Sequence, residues 1–170
     1  VDVKLVFVDG GAEVSAALVG GSAQLGAHES TSVFQLAQKG ADFVAVEANV
    51  DALTMNMVVR KALAEQRGLK RDMPLKDRIM GLKGLKIGVT GPGAATDVYT
   101  RWYLRQAGLD PEKDATIVSI GGGAALAAAL ERGQIDAFQL SPPTPETVVS
   151  KGSAVPLINA SGGDVPELKF

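Results

Sequence analysis

The stretch GLKGLKIGVTGPGAATDVYTRWYLRQAGLD, residues 81–110, decides the fold of this 170-residue chain. Residues 86–90 form a short apolar, β-branched run that predicts a strand, and the Gly-Pro-Gly at residues 91–93 predicts a sharp turn. Apolar side chains then recur at helical spacing, which predicts a helix over residues 95–107. A strand that passes through a glycine turn into a helix directs free backbone N–H groups and the positive end of the helix dipole at one point. The pattern therefore favours an anion site, although many such turns bind nothing.

The specific nucleotide-binding motifs do not fit this turn. A P-loop requires Gly-Lys-Ser/Thr where the helix begins, but this helix begins Ala94-Ala95-Thr96-Asp97. A Rossmann fingerprint requires glycine at the position of Thr96, with an acidic residue at the end of the next strand. The sequence therefore predicts no nucleotide cofactor, and we expect no other cofactor.

The composition indicates a globular protein and argues against several functions. Apolar residues make up 46% of the chain and charged residues 21%, which is enough material for a sizeable core. A net charge of −2 without a basic stripe argues against a nucleic-acid partner. The chain has no cysteine and one histidine, so disulfides, thiolate catalysis and cysteine-ligated metals are excluded. We expect no catalytic residue and no metal site.

Short strands alternate with short helices, which predicts a parallel α/β sheet. The predicted strands are residues 3–8, 23–27, 43–46, 57–59, 86–90, 116–120, 135–140 and 155–158. The predicted helices are residues 12–19, 33–38, 61–67, 75–80, 95–107, 124–131 and 145–150. Ser30, Thr31 or Ser32 is expected to cap the second helix. Residues 61–80 show no long apolar face and are expected to form a surface connection.

An internal repeat relates the two ends of the chain. Shifting the sequence by 112 residues, without a gap, gives nine identities between residues 10–40 and 122–152. We interpret them as two structurally equivalent lobes: residues 1–50 are part of lobe 1, residues 51–85 are the hinge and connection, and residues 86–170 are an incomplete lobe 2. The same shift places the first-lobe counterpart of strand 86–90 before residue 1, so we expect a chain truncated at both ends.

Three segments resemble the solute-binding proteins of ABC importers that bind nitrate, taurine, alkanesulfonates and thiamine-precursor pyrimidines. They are VKLVFVDGGAEVSAALVGGSAQLGAHES (3–30), GLKGLKIGVTGPGAATD (81–97) and GLDPEKDATIVSIGGGAALAAALERGQIDAFQLSPP (108–143). The resemblance implies a two-lobed, periplasmic-binding-protein-like (type II) α/β fold whose lobes close on a small molecule. It also implies a periplasmic or lipid-anchored extracytoplasmic location and ABC permease partners, and we expect a monomer.

The predicted site lies where the carboxyl ends of the strands meet, as in other parallel sheets. The ligand-binding residues expected there are Gly10, Gly11, His28, Glu29, Ser30, Thr31, Gly91, Gly93, Ala94, Ala95, Thr96, Gly122, Gly123 and Ser141. Backbone N–H groups and hydroxyls at such positions can hold a small anion. Glu29 could accept from a ligand amine or be a solvated surface residue, and His28 could have no chemical role.

The ligand and the class of function stay open at this point. A sulfonate, taurine, nitrate, a carboxylate or a pyrimidine precursor would each suit such a cleft. An enzyme of the pyrimidine-synthase type shares the family resemblance, but the absence of cysteine and the single histidine weigh against it. A ligand-sensing domain of a transcription regulator would have the same two-lobed shape.

Overall fold

The computed structural model describes residues 2–50 and 52–168, so the predicted domain limits at residues 1, 51 and 170 lie outside it. The described residues contain five strands: β1 Asn56–Arg60, β2 Lys86–Val89, β3 Thr116–Ser119, β4 Ala137–Leu140 and β5 Ala154–Asn159. The described α-helices are α1 Gly11–Val19, α2 Ser30–Gln38, α3 Lys61–Arg67, α4 Leu75–Met80, α5 Ala95–Gln106, α6 Gly123–Glu131 and α7 Thr144–Ser150. A 3-10 helix, Pro166–Leu168, follows β5.

All five strands form one sheet in the order β3-β2-β4-β1-β5. Strand β2 is parallel to β3 and β4, as the alternation of strands and helices predicts. Strand β1 is antiparallel to both β4 and β5. The predicted α/β class is therefore confirmed, with one antiparallel strand in the interior of the sheet.

Two apolar cores cover the two faces of the sheet, because successive strand side chains point to opposite faces. Met57 and Val59 of β1 pack into one core with residues of α3, α4 and α5. Val58, between them, packs into the other core with α6 and α7. This burial on both faces explains the continuous apolar runs of the strands.

The segment predicted to be a surface connection, residues 61–80, contributes to the first core. The bounds of α3 and α4 agree with the prediction, but Ala64 and Ile79 are buried there, at 2% exposed each. Arg78 is also buried and forms an ion pair with Asp164, with Nη1 and Oδ2 2.6 Å apart. The surface prediction is wrong because helices of seven and six residues are too short to show a repeated apolar face.

Residues 2–50, called here the N-terminal segment, contain helices α1 and α2 but no strand. The strands predicted at residues 3–8, 23–27 and 43–46 are therefore wrong. A β-branched run favours only an extended backbone, and a strand also needs a hydrogen-bonded neighbour. None of the described residues pairs with these runs, and Leu5 and Phe7 are 74% and 89% exposed.

The helical part of the 112-residue repeat is confirmed. Helix α1 falls on α6 at both ends after the shift. The turn glycines Gly21 and Gly133 have φ of 71° and 68°, and Gly40 and Gly152 have φ of 77° and 76°. At these positive values glycine is favoured, because a Cβ atom would strain the backbone.

The expected cap of α2 by Ser30, Thr31 or Ser32 is wrong by up to three positions. Helix α2 already begins at Ser30, so Glu29 is the N-cap residue, and its side chain makes no capping hydrogen bond.

Among the described helices, none is long and apolar enough to cross a membrane.

Candidate functional site

The carboxyl ends of β2, β3 and β4 meet at one edge of the sheet because these strands are parallel. The antiparallel β1 begins at this edge, where Asn56 is opposite Leu140 of β4. The Thr54 and Ser141 hydroxyls are 3.4 Å apart there. The turns before α5, α6 and α7 therefore lie together at this edge, which is called here the loop edge. These turns and the first residues of α5 and α6 include the predicted residues Gly91, Gly93, Ala94, Ala95, Thr96, Gly122, Gly123 and Ser141.

The turn between β2 and α5 has its own internal hydrogen bonds. The N–H of Gly93 donates to Oδ2 of Asp97 at 2.9 Å, and Asp97 also pairs with Arg101. The Thr96 oxygen accepts from the N–H of Thr90 at 3.0 Å and lies 2.9 Å from the Thr90 hydroxyl. Thr96 is only 3% exposed, so its hydroxyl stabilises the turn and is not presented to the cleft.

The backbone N–H groups of Ala95 and Thr96 remain available at the start of α5. They make no hydrogen bond within the described part of the chain, whereas Ala94 N–H donates to Gly91 O. Such groups and the helix dipole attract negative charge. The carboxylate of Asp97 already provides part of that charge, which weakens the attraction for a second anion.

In the N-terminal segment, the predicted residues surround the first turns of α1 and α2. Gly10 is the N-cap of α1, and Glu29 is the N-cap of α2. A methyl group added at Gly11 would lie 3.2 Å from Oε2 of Glu29, so this carboxylate packs directly against the glycine. Ser30 is exposed, and Thr31 is half-buried with a hydroxyl oxygen that has no partner among the described residues.

Glu29 also influences two ionisable side chains. Burial lowers the pKa of His28, and the negative charge of Glu29 partly opposes this by raising it. Burial raises the pKa of Tyr99 on α5, and Glu29 raises it further. The charge of Glu29 therefore acts on a side chain of α5 as well as on its own neighbour in the sequence. His28 Nδ1 is buried without a partner among the described residues.

The N-terminal segment contacts the loop edge of the sheet at three points. A methyl group added at Gly10 would lie 3.3 Å from Cβ of Thr90, and one added at Gly122 would lie 3.2 Å from Oδ1 of Asp9. The side-chain amide of Gln35 donates to Gly93 O at 3.3 Å. The turns before α1, α5 and α6 are thus brought together.

The described residues contain no cluster of metal-ligating side chains and no nucleophile that is hydrogen-bonded to His28 or Glu29. In the described part of the chain, no three His, Cys, Asp or Glu side chains are arranged to hold a metal ion. His28 and Glu29 are adjacent, but no nucleophilic hydroxyl is hydrogen-bonded to either of them in the described residues. The arrangement offers donors, small residues and a few carboxylates, which suit non-covalent binding.

Sequence reasoning missed four polar side chains close to this edge, namely Ser15 of α1 and three at or along α2. Ser32, Gln35 and Lys39 lie along α2 and, with Pro92 and Gly93 of the opposite turn, line a cavity of about 180 Å³. Their spacing of three and four residues is typical of any helix face, so the sequence alone gives no sign that they share a cavity.

Comparisons with known proteins agree with this fold. The sequence model of the NMT1-like family matches residues 1–162. A solved protein of Bordetella bronchiseptica RB50 is similar, with a TM-score of 0.76 and 28% identity over 94% of this chain and 48% of its own. A search of curated proteins found no match.

Two solute-binding proteins have the same fold. The alkanesulfonate-binding protein SsuA of Xanthomonas axonopodis pv. citri, bound to MOPS, has a TM-score of 0.71 at 24% identity, over 91% of this chain and 49% of its own. The periplasmic nitrate-binding protein NrtA of Synechocystis PCC 6803 has a TM-score of 0.62 at 21% identity, over 85% and 40%. They confirm the predicted periplasmic-binding-protein-like fold, and the chain spans about half the length of these structures or less.

Proposed function

Since this chain belongs to the NMT1-like family, we propose that it is part of the solute-binding component of an ABC importer. It would capture a small organic anion or polar heterocycle between the N-terminal segment and the loop edge of the sheet, and it would catalyse no reaction. A sulfonate, taurine, nitrate, a carboxylate or a pyrimidine precursor are the ligand classes to test. The protein would work outside the cytoplasm, as a monomer, and deliver its ligand to permease subunits.

One observation carries this proposal: the glycine turns that begin α1, α5 and α6 lie next to one another at the carboxyl ends of the parallel strands. The contacts of Gly10 with Thr90 and of Gly122 with Asp9 bring the turns within van der Waals distance. Ligands of parallel α/β sheets bind at such an edge. Small residues and free N–H groups there allow a ligand to approach the backbone closely.

The chain contributes unequal parts to the two lobes of the proposed binding protein. We propose that residues 1–50 belong to one lobe and residues 86–170 to the other. Strand β1 and helices α3 and α4, from the segment between them, pack with the second lobe. The hinge would then be confined to the few residues that precede β1.

Gly91 provides a direct test of this site. It is buried, yet a Cβ atom added there would meet no atom within 4 Å, so a larger side chain would occupy open space at the loop edge. We expect Gly91→Val to weaken ligand binding by about tenfold or more, because the side chain takes the ligand's place. Gly91→Ala should have a smaller effect.

Calorimetric titration with ethanesulfonate, taurine, nitrate, benzoate and an aminopyrimidine would measure this. Ala62→Val, on the exposed face of α3, is the control, because it places the same valine side chain away from the loop edge. The proposal is wrong if no compound of the panel binds, or if the best of them binds the Gly91→Val variant as tightly as the unchanged chain.

A further inference from the structure

Three runs of the N-terminal segment have no strand partner among the described residues: 4–7, 25–28 and 42–47. They are called here the acceptor runs. Leu5, Leu25 and Val44, one in each run, are 74%, 78% and 79% exposed. An unpaired strand edge presents free backbone N–H and C=O groups, and it readily accepts a further strand. The acceptor runs therefore form an apolar surface that suits strand addition.

The 112-residue repeat gives each acceptor run a counterpart in the sheet. The three runs fall on β3, β4 and β5 in that order. In the sheet order β3-β2-β4-β1-β5, these strands take the first, third and fifth positions and are joined only through β2 and β1. The counterparts of β2 and β1 lie outside residues 1–170. The acceptor runs thus correspond to every second strand of a sheet, and none of the described residues fills the two positions between them.

The middle acceptor run, 25–28, already has the helix contact of a sheet strand. A Cβ atom added at Gly26 would lie 2.7 Å from Cγ1 of Val14 and 2.9 Å from Cδ1 of Leu18. The counterparts of these three residues belong to one apolar core, namely Phe138, Leu126 and Leu130. Helix α1 therefore contacts this run as α6 contacts β4, and what the run lacks is neighbouring strands.

The register of β2 defines the position between the first two acceptor runs. Ile87 pairs with Ile117 of β3 and with Ala137 of β4, and both pairings are parallel. The repeat places Leu5 at the position of Ile117, and Leu25 at that of Ala137. A parallel strand in the corresponding place would have one of its residues between Leu5 and Leu25.

The register of β1 defines the position between the last two acceptor runs. Val59 pairs with Ala137 of β4 and with Val155 of β5, and both pairings are antiparallel. The counterparts of these partners are Leu25 and Phe43. An antiparallel strand would have one of its residues between them, so the two positions require strands of opposite direction.

A second copy of this chain does not meet that requirement. By the repeat its three acceptor runs share one direction, since β3 and β4 are both parallel to β2, and β4 and β5 are both antiparallel to β1. Polypeptide outside residues 1–170 can supply both directions. The first two solved structures compared above contain such polypeptide, because this chain covers only 48% and 49% of them.

We propose that the acceptor runs bind two apolar strands of polypeptide outside residues 1–170. One strand is parallel and lies between the first two runs, and the other is antiparallel and lies between the last two. The N-terminal segment then forms a five-stranded sheet with the same order as the sheet described above. The inference concerns how this part of the molecule is completed, and it does not depend on the ligand of the proposed function.

Disulfide exchange in a glutathione buffer tests each position, because the chain has no cysteine of its own. The probes are two synthetic peptides: residues 83–92, which contain β2, with Ile87→Cys, and residues 54–62, which contain β1, with Val59→Cys. Each is added to the full 170-residue chain with Leu5→Cys or Phe43→Cys. The β2 peptide should form at least about tenfold more mixed disulfide with Leu5→Cys, because strand pairing holds the two sulfurs together, and the β1 peptide should prefer Phe43→Cys.

Two controls separate pairing from mere exposure of the cysteine. Leu25→Cys should react well with both peptides, since its run borders both positions. A β2 peptide that also carries Gly88→Pro should lose its preference, because proline cannot donate to the ladder of a central strand.

The opposite preferences of the two peptides are the decisive result, since accessibility alone would give the same order of variants with both. The same order with both peptides, an undiminished preference of the proline peptide, or no mixed disulfide at all would each overturn the inference. Disulfide-linked dimers of the chain that exclude both peptides would overturn it as well, by giving the positions to a second copy. None of these results changes the ligand titrations that test the proposed function.

Discussion

Helices α1 and α6 have related sequences and the same bounds after the 112-residue shift, yet they are packed very differently. Helix α6 buries Leu126, Ala129 and Leu130 against the sheet. Helix α1 buries none of its residues, although Leu18 is the counterpart of Leu130. The same local sequence therefore forms the same helix in two places, and only one of them belongs to a core.

The comparison separates two kinds of stabilisation. Turn geometry is local: the N–H of Gly21 donates to Leu18 O, and that of Gly133 donates to Leu130 O, in equivalent positions. Burial depends on what lies beneath the helix, which is the sheet for α6 and a second short helix for α1. Most helical stability in proteins comes from this second source.

The largest expected effect tests this difference in one matched pair of variants. Leu130→Ala should lower the free energy of unfolding by about 2 to 5 kcal/mol, because it leaves a cavity under a fully buried side chain. Leu18→Ala removes the same atoms from a half-buried position and should cost less than about 1 kcal/mol. Urea unfolding followed by the fluorescence of Trp102 would measure both. Equal losses would mean that α1 is as deeply packed as α6.

Helices and turns of this chain could be predicted because their signals are local. The bounds of α3 and α4 follow from short apolar patterns that end at glycine. That residues 3–8, 23–27 and 43–46 form no strand could not be predicted, because pairing depends on a neighbour distant in the sequence. The antiparallel direction and interior position of β1 could not be predicted for the same reason, since no local feature of Met57 to Val59 specifies strand direction.

The candidate site could likewise be predicted only in part. That Gly91 and Gly122 lie at one edge could be predicted, because β2 and β3 are parallel and end together. The position of Gly10 could not be predicted in this way, since no strand precedes it in the structure. The role of Thr96 could not be predicted, since its hydrogen bond to Thr90 depends on how the turn folds back. Nor could Ser32, Gln35 and Lys39, which share a cavity only because α1 and the turn before α5 pack against α2.

A smaller effect should appear at low pH in the residues beyond β5. Burial by itself would raise the pKa of Asp164, but the hydrogen bonds from Arg78 and from the N–H of Asn159 outweigh it and hold the pKa below its ordinary value of 3.8. A lowered pKa in the folded state stabilises the protein above pH 3.8, and this stabilisation is lost as the pH falls through the folded pKa.

Acid titration should therefore loosen β5 before it affects the α1–α2 pair. Hydrogen exchange of the Asn159 amide, measured from neutral pH to below pH 4, would follow the loss of protection. Asp164→Asn is the control: it cannot titrate, so the pH-dependent part of the change should disappear. A change of the same size in that variant would show that another carboxylate is responsible.

The smallest expected effect tests where the two parts of the molecule meet. Glu29 lies in the N-terminal segment but raises the pKa of Tyr99 on α5 as well as that of His28 beside it. Glu29→Gln removes one negative charge, so both pKa values should fall, each by less than about one unit, the range typical of a partly solvated neighbour.

His28 is the sole histidine of the chain, which makes its ring signals simple to follow by NMR, and Tyr99 can be followed through its ring carbons. Glu65→Gln, on the exposed face of α3, is a control for the change in net charge. If His28 responds and Tyr99 does not, then Glu29 is not held against α5 in solution, and the N-terminal segment sits farther from the loop edge than its contacts at Gly10 and Gln35 require. A fall in both pKa values would be electrostatic evidence that the start of α2 lies near α5. This evidence would be independent of the hydrogen bond between Gln35 and Gly93.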